Sequence, residues 1–330
     1  MKKVCIIGLG YVGLPTALLV SSKKVIVNGY DINNKLVKSI NNKKIFFKED
    51  NLNKLFQAKS VNKYFKAYNK IIESDIYVIT VPTPIKKNKT ANLNYVEKAF
   101  DEIAGIIKKG NLIILESTCP IGTTEKFLLK LKKLRKDLTF PTNNYSKSDI
   151  NLAYCPERVL PGNTIQELTL NNRIIGGISN LCSTKAKKFY NLFVLGKCIT
   201  TNSKIAEMAK LSENAFRDIN IAFANQLNII AKKNNINIWE VINLANLHPR
   251  VNIHKPGPGV GGHCIAVDPW FLLDNNISSN NLIASARLLN DSIPNYVIKD
   301  IKTKIKNKNK KINQIKIACF GLSYKAEIDD

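Results

Sequence analysis

The chain has 330 residues, 45% hydrophobic and 23% charged, the balance of a globular protein with room for two ordinary domains and part of a third. No stretch approaches the roughly 20 apolar residues of a membrane span, and Gly8, Gly10 and Gly13 break up the N-terminal apolar run that would otherwise resemble a signal peptide, so a cytoplasmic protein with no membrane partner is expected. The net charge of +25 raises the question of nucleic acid, but Lys, Asn and Ile are abundant throughout and no aromatic residues interleave a basic face, so no nucleic-acid partner is expected and the positive field would instead attract an anionic substrate.

Taken in chain order, residues 3–8 form a short apolar strand, 14–21 a helix, and 25–30 a second strand that ends at Asp31. Further apolar strands are predicted at 76–81 and 112–116, with an amphipathic helix at 94–107 between them, and later strands at 153–154 and 174–176. Alternating strands and helices predict an α/β fold with a parallel, doubly wound sheet. Residues 203–234 contain no Pro or Gly and read as one long helix. Its apolar positions Ile205, Met208, Ala209, Ala215, Phe216, Ile219, Phe223 and Leu227 follow helical spacing. Helices at 238–245 and 282–298 flank a Gly/Pro-rich loop at 249–263, which predicts an all-helical middle domain. The Lys- and Asn-rich stretch 299–316 reads as a solvated helix end and linker, and 315–320 as a new strand.

Four segments carry chemistry. Gly8-Leu9-Gly10-Tyr11-Val12-Gly13 follows a strand and opens a helix, and Asp31 ends the next strand. Glycines there allow a tight turn and close approach of a pyrophosphate. A carboxylate at Asp31 suits ribose hydroxyls and repels a 2′-phosphate, which favours NAD. A bare Gly-rich structural turn is the rival reading. In the second segment, 256–268, Cys264 ends a Gly-rich loop and Asp268 lies one helical turn later. This suits a nucleophilic thiol beside a carboxylate that handles water. The other cysteines, at 5, 119, 155, 182, 198 and 319, read as small buried residues. With Cys264 the cysteines total seven, and that odd count, their scattered spacing and the lack of a CxxC pair exclude a disulfide framework or a zinc site, so no metal is expected. Third, Lys210 and Asn214 are spaced i, i+4. They could stabilise an oxyanion, although spacing alone favours a solvent-facing polar pair. Fourth, segments 116–124 and 154–158 follow strand ends, where open parallel sheets bind ligands. Glu157 could serve as a base or as half of a buried ion pair.

Together these residues resemble the UDP-glucose/GDP-mannose dehydrogenase family. The likeness runs through residues 8–15 (GLGYVGLP), 81–84 (VPTP), 116–124 (ESTCPIGTT), 154–162 (YCPERVLPG) and 210–227, and is most specific at 248–270 (HPRVNIHKPGPGVGGHCIAVDPW). It implies an NAD-binding Rossmann domain at 1–198, a helical dimerisation domain carrying the cysteine at 199–312, and the opening of a UDP-binding domain at 313–330. Family members continue well past residue 330, so that last domain is expected to be truncated. The implied reaction is a four-electron oxidation of a sugar C6 alcohol by two NAD, through a thiohemiacetal and a thioester. The resemblance assigns Cys264 as nucleophile, Lys210 and Asn214 to the oxyanion, Asp268 with Thr118 to water and proton handling, and Glu157 to the reacting centre. It assigns Gly8, Gly10, Tyr11, Val12, Gly13, Asp31, Pro82, Thr83 and Thr118 to NAD. It assigns Glu157, Arg158, Val159, Lys210, Asn214, Arg217, His248, Arg250, Gly261, His263, Tyr324 and Lys325 to the nucleotide-sugar, with Arg250 reaching across a homodimer interface.

Two departures from the glucose-oxidising members bear on the substrate. Pro161 stands where they have a second glutamate, and His263 precedes the cysteine where they have another residue. Both resemble the N-acetylhexosamine branch, and Ala266, Val267 and Trp270 tilt the expectation towards UDP-N-acetyl-D-mannosamine over the glucosamine and galactosamine epimers. The product uronate would feed a cell-surface polysaccharide such as the enterobacterial common antigen. Two readings stay open: an active dehydrogenase, alone or with a separately encoded remainder, and an NAD-binding remnant without turnover.

Overall fold

The computed structural model describes residues 2–44, 49–142, 147–159, 162–273, 281–306 and 314–320. It divides into two compact units, one running to Lys210 and one starting at Leu211.

The first unit is an eight-stranded sheet covered by helices on both faces. In chain order its elements are β1 (Lys3–Ile7), α1 (Gly13–Ser22), β2 (Ile26–Tyr30), α2 (Asn34–Asn41), α3 (Asp50–Gln57), α4 (Lys59–Tyr64), β3 (Phe65–Tyr68), β4 (Ile76–Ile79), α5 (Asn94–Ala104), β5 (Leu112–Leu115), α6 (Thr123–Leu134), β6 (Asn151–Tyr154), α7 (Thr164–Leu170), β7 (Arg173–Gly177), α8 (Asn180–Tyr190) and β8 (Cys198–Asn202). The strand order β3-β2-β1-β4-β5-β6-β7-β8 reverses direction between β1 and β4. The strands read as unbroken apolar runs because both faces are covered. Val4 and Ile6 of β1 join one core with α1 and α2, while Cys5 and Ile7 join the other with α5 and α6.

The expected parallel, doubly wound sheet is present, with one exception. β7 runs antiparallel to β6, pairing Ala153 with Gly177 and Tyr154 with Gly176, and β8 then pairs parallel to β7. An antiparallel neighbour needs no crossover returning the chain to the opposite edge of the sheet. Strand polarity of this kind leaves no mark in hydrophobic periodicity.

Arg173 on β7 reaches a carboxylate at the end of β5. Its Nη2 donates to Glu116 Oε1 at 2.7 Å, and its guanidinium lies over the Tyr190 ring, 4.5 Å from the centroid. The Tyr190 hydroxyl donates to the same Glu116 oxygen. All three side chains are buried, so the pair locks the antiparallel strand to the parallel part of the sheet.

The long helix α9 (Ser203–Lys233) begins in the first unit and continues in the second. The second unit adds α10 (Ile238–Ala245), the short α11 (Asp268–Phe271) and α12 (Leu282–Lys306). The inward face of α9 mixes small apolar residues, with Ala206, Leu211, Ala215, Ala222 and Ala224 buried, and polar ones. The apolar residues Ile205, Met208, Phe216, Phe223 and Ile230 are exposed, Phe216 at 66%, whereas Glu207, Lys210, Asn214, Asp218 and Asn225 are buried. The helical spacing of its apolar residues is therefore real, but much of that stripe points outward.

The strand expected at 315–320 is absent. These residues have no regular structure and are almost wholly exposed, Phe320 at 96%. A strand requires a ladder partner, and none pairs with this segment among the described residues. No described helix is long and apolar enough to cross a membrane.

Removal of one member of a buried ion pair strands the other charge. Arg173→Ala is therefore expected to lower the free energy of unfolding by about 3–5 kcal/mol, read from urea denaturation. A loss below about 1 kcal/mol, the scale of an exposed pair, would show that the contact does not hold β7 in place.

Candidate functional site

In the first unit the glycine turn lies at the sheet's reversal point, where open α/β sheets bind ligands. Gly8 has φ +96°, and a Cβ on Gly13 would sit 1.8 Å from the Gly8 carbonyl oxygen, so neither position accepts a side chain without rearrangement. A Cβ on Gly10 would meet nothing within 4 Å: the turn faces open space there. The N-terminus of α1 carries no side-chain cap and no acidic residue in its first turn, which leaves helix amides available to an anion. Asp31 is drawn against this turn. Its Oδ2 accepts from the Leu9 amide at 2.9 Å and its Oδ1 from the Asn33 amide at 2.8 Å. An open glycine cradle, uncapped amides and a carboxylate at the end of β2 fit a dinucleotide with free ribose hydroxyls. Tyr11 is exposed and Val12 half-buried beside the turn.

The neighbouring strand ends are laced together. Thr80 Oγ1 donates to the carbonyls of Ile7 (3.0 Å) and Gly8 (2.8 Å), Ser117 Oγ to Val81 O (2.6 Å), and Thr83 Oγ1 to Thr118 O (2.6 Å). Pro82 is exposed on this edge. Next to it, α6 starts at Gly122 with no cap of its own. Glu207 of α9 supplies one: Oε2 accepts from the Gly122 amide (2.6 Å), and Oε1 from the Thr124 amide (2.8 Å) and hydroxyl (2.6 Å). Burial raises the Glu207 carboxyl above its usual range despite these bonds.

Glu157 follows β6. Burial raises its carboxyl as well, opposed by the Lys210 ammonium, by its bond from the Val159 amide and by Arg173. Arg158 donates to the carbonyl of Asn172. Both readings of Glu157 remain open, since it lies in the field of Lys210 and Arg173.

In the second unit Cys264 is exposed at the end of the glycine loop. Its carbonyl accepts from the amides of Val267 (3.1 Å) and Asp268 (2.8 Å), so the helical turn expected after it exists. Asp268 is buried, and its Oδ2 accepts from Asn214 Nδ2 at 2.6 Å. Lys210 and Asn214 are 8% and 7% exposed, which overturns the solvent-facing reading that spacing alone favoured. Arg217, His248, Arg250, Gly261 and His263 lie on exposed surface. Tyr324, Lys325 and Pro161 fall outside the described residues.

Sequence reasoning missed Glu207, Asp218 and Asn225. The signal was present: with Lys210 and Asn214 they recur at intervals of three, four, four and seven along α9, one helical face of polar residues. Such a stripe normally reads as solvated. Only the exposed apolar stripe opposite shows that this one is buried.

Comparison with known proteins agrees with this geometry. The family model described as "UDP-glucose/GDP-mannose dehydrogenase family, NAD binding domain" matches residues 2–194, and that family's central domain matches 204–292. A UDP-N-acetyl-D-mannosamine dehydrogenase from Campylobacter jejuni is 52% identical over 330 residues, covering all of this chain and 80% of that one. An NDP-N-acetyl-D-galactosaminuronic acid dehydrogenase from Ralstonia nicotianae is 48% identical, covering 100% of this chain and 77% of the relative. The structure of the UDP-N-acetyl-mannosamine dehydrogenase from Staphylococcus aureus superposes with a TM-score of 0.88 at 39% identity, covering 100% of this chain and 76% of that one. The chain therefore belongs to the UDP-glucose/GDP-mannose dehydrogenase family, as an NAD-dependent dehydrogenase with that family's NAD binding and central domains.

Proposed function

We propose that the chain oxidises the C6 alcohol of UDP-N-acetyl-D-mannosamine to the carboxylate, with Cys264 as covalent nucleophile. The observation that carries this reading is the buried Asn214–Asp268 pair, held at 2.6 Å one helical turn from an exposed cysteine. A solvated loop thiol needs no such neighbour. A thiol that must capture an aldehyde and later release an acid needs a carboxylate and an amide beside it. The names of the C. jejuni and S. aureus relatives support the sugar, and His263 supports the N-acetylhexosamine branch.

NAD, when bound, supplies the hydride acceptor for each of two oxidations. The chain's residues would do the rest. Gly8, Gly10, Gly13 and the amides of α1 hold the pyrophosphate, Asp31 the ribose, and Tyr11, Val12, Pro82, Thr83 and Thr118 the remaining edge. Cys264 Sγ adds to the C6 aldehyde to form a thiohemiacetal, whose oxyanion Lys210 and Asn214 stabilise by donating hydrogen bonds. After the second oxidation the acyl group stays on Sγ as a thioester. Water then attacks it, Asp268 takes up the proton with support from Thr118, and the thiolate leaves. Glu157 stands near the reacting centre. Glu157, Arg158, Val159, Arg217, His248, Arg250, Gly261, His263, Tyr324 and Lys325 recognise the nucleotide-sugar. The seven free thiols support a reducing, cytoplasmic setting, and the uronate suits assembly of a cell-surface polysaccharide.

The exposed apolar stripe of α9 supports a homodimer. Phe216, Phe223 and Ile230 recur every seven residues and are each about half exposed or more, the pattern of a helix awaiting a partner. Phe216→Asp combined with Phe223→Asp is expected to halve the mass measured by light scattering. An unchanged dimer would place the interface elsewhere.

The activity test is direct. Purified protein given NAD and UDP-N-acetyl-D-mannosamine should release two NADH per sugar, and UDP-N-acetyl-D-galactosamine and UDP-glucose should react more slowly. The galactosamine arm is required by the 48% identity to the R. nicotianae relative. NAD binding with no NADH from any sugar would favour the remnant reading. Cys264→Ser should abolish uronate formation while leaving NAD affinity intact; normal turnover in that variant would exclude the covalent route.

A further inference from the structure

The second unit contains a buried polar chain that the proposed chemistry does not use. Arg287 of α12, fully buried, donates through Nη1 to Asp218 Oδ1 and through Nη2 to Asp291 Oδ1 at 3.0 Å. Asn290, about one turn after Arg287, donates to Asp218 O (2.9 Å) and Oδ1 (2.8 Å). Its own Oδ1 accepts from Asn225 Nδ2 at 2.9 Å. Asn225 Oδ1 in turn accepts from the Gly257 amide at 2.9 Å, at the start of the loop that ends in Cys264. Asp218, Asn225, Arg287 and Asn290 are each at most 1% exposed.

The placement has a direction. Asn214 and Asn225 are eleven residues apart on α9, three helical turns and about 16 Å along the axis. Asn214 holds Asp268, four residues after Cys264, and Asn225 holds Gly257, seven residues before it. One helix thus grips both ends of the loop. From the other side, Gly259 takes φ +146° against α12: a Cβ there would stand 3.0 Å from Pro294 Cγ. A loop this rich in glycine loses much conformational entropy on ordering. Burying four polar side chains in one connected network is costly unless every link is made. The loop is where that cost has an evident return.

We infer that Asn225 is a positioning residue for Cys264: it fixes the start of the nucleophile loop through the Gly257 amide and is itself oriented by Asn290, Asp218 and Arg287. This inference rests on the proposed role of Cys264. Its test reads the thiol directly, so that the two can fail separately. Iodoacetamide labelling of the whole protein across a pH series, followed by peptide mass spectrometry, separates Cys264 from the other exposed thiol, Cys319. In Asn225→Ala the labelling profile of Cys264 should depart from the native one, while that of Cys319 stays unchanged. The kcat should fall on the order of 10- to 100-fold, with KM for NAD unchanged. A purely structural contribution would lower thermal stability without moving the labelling profile. Native labelling and native kcat in a folded Asn225→Ala protein would overturn the inference. If Asn225→Ala does not fold, Gly259→Ala displaces the same loop from the α12 side, and native Cys264 labelling in that variant would overturn it equally. Normal turnover by Cys264→Ser would sink only the nucleophile assignment.

Discussion

The buried polar face of α9 is the constraint on which the candidate chemistry depends. A helix in a globular protein ordinarily turns its apolar stripe inward. α9 also buries Glu207, Lys210, Asn214, Asp218 and Asn225, and buried polar groups are tolerated only when they are bonded. Each bonded partner defines a place. Glu207 meets the uncapped start of α6, Asn214 meets Asp268, Asp218 meets Arg287, and Asn225 meets Gly257. The hydrogen bonds made by these polar groups leave this face few alternative registers. Within each unit the helix therefore sets where its polar partners stand, and a stripe of large apolar residues is left exposed.

The first unit solves a different problem with different means. Its sheet brings β1 and β4 side by side at the reversal point, and the glycine turn leads into a helix start with no side-chain cap, which suits an anionic group. Here specificity comes from what is absent: no Cβ fits at Gly13, and nothing crowds Gly10. Asp31 contributes twice, since the carboxylate suited to a ribose also ties down the Leu9 amide of the turn. The strand ends beyond are cross-linked by the hydroxyls of Thr80, Thr83 and Ser117 rather than by packing. This keeps the edge ordered while leaving it polar.

How far the sequence could be read follows from these two strategies. The β1–α1–β2 unit, the glycine turn and Asp31 were legible because local chain geometry demands glycine and a carboxylate at fixed offsets. Cys264 and Asp268 were legible for the same reason, one helical turn apart beside a glycine run. The antiparallel β7 was not, because strand polarity depends on how the chain returns after β6 and not on which residues are apolar. The burial of Lys210 and Asn214 was not legible from spacing alone, since a polar i, i+4 pair reads the same whether it faces solvent or protein. Asp218 and Asn225 were passed over for the same cause. The segment 315–320 shows the converse failure, in which an apolar run has the composition of a strand but no neighbour among the described residues to make it one.

The glycine loop is where the proposed role of Cys264 meets the buried polar face of α9. A nucleophilic thiol has to be exposed to meet substrate, yet an exposed loop is the element least able to hold an atom in place. Making Cys264 part of a helix would fix it but bury its approach, and leaving it on a free glycine run would expose it without aim. The observed arrangement separates the two demands. Glycines at 257, 259, 261 and 262 give the backbone freedom to present the thiol. Position comes instead from asparagine side chains on α9 at either end, backed by the buried Arg287 through Asp218. Rigidity borrowed from a polar network in this way gives the charged and amide groups buried in the helical unit a role beside its buried apolar residues, among them Leu211, Trp270, Phe271 and Ile293.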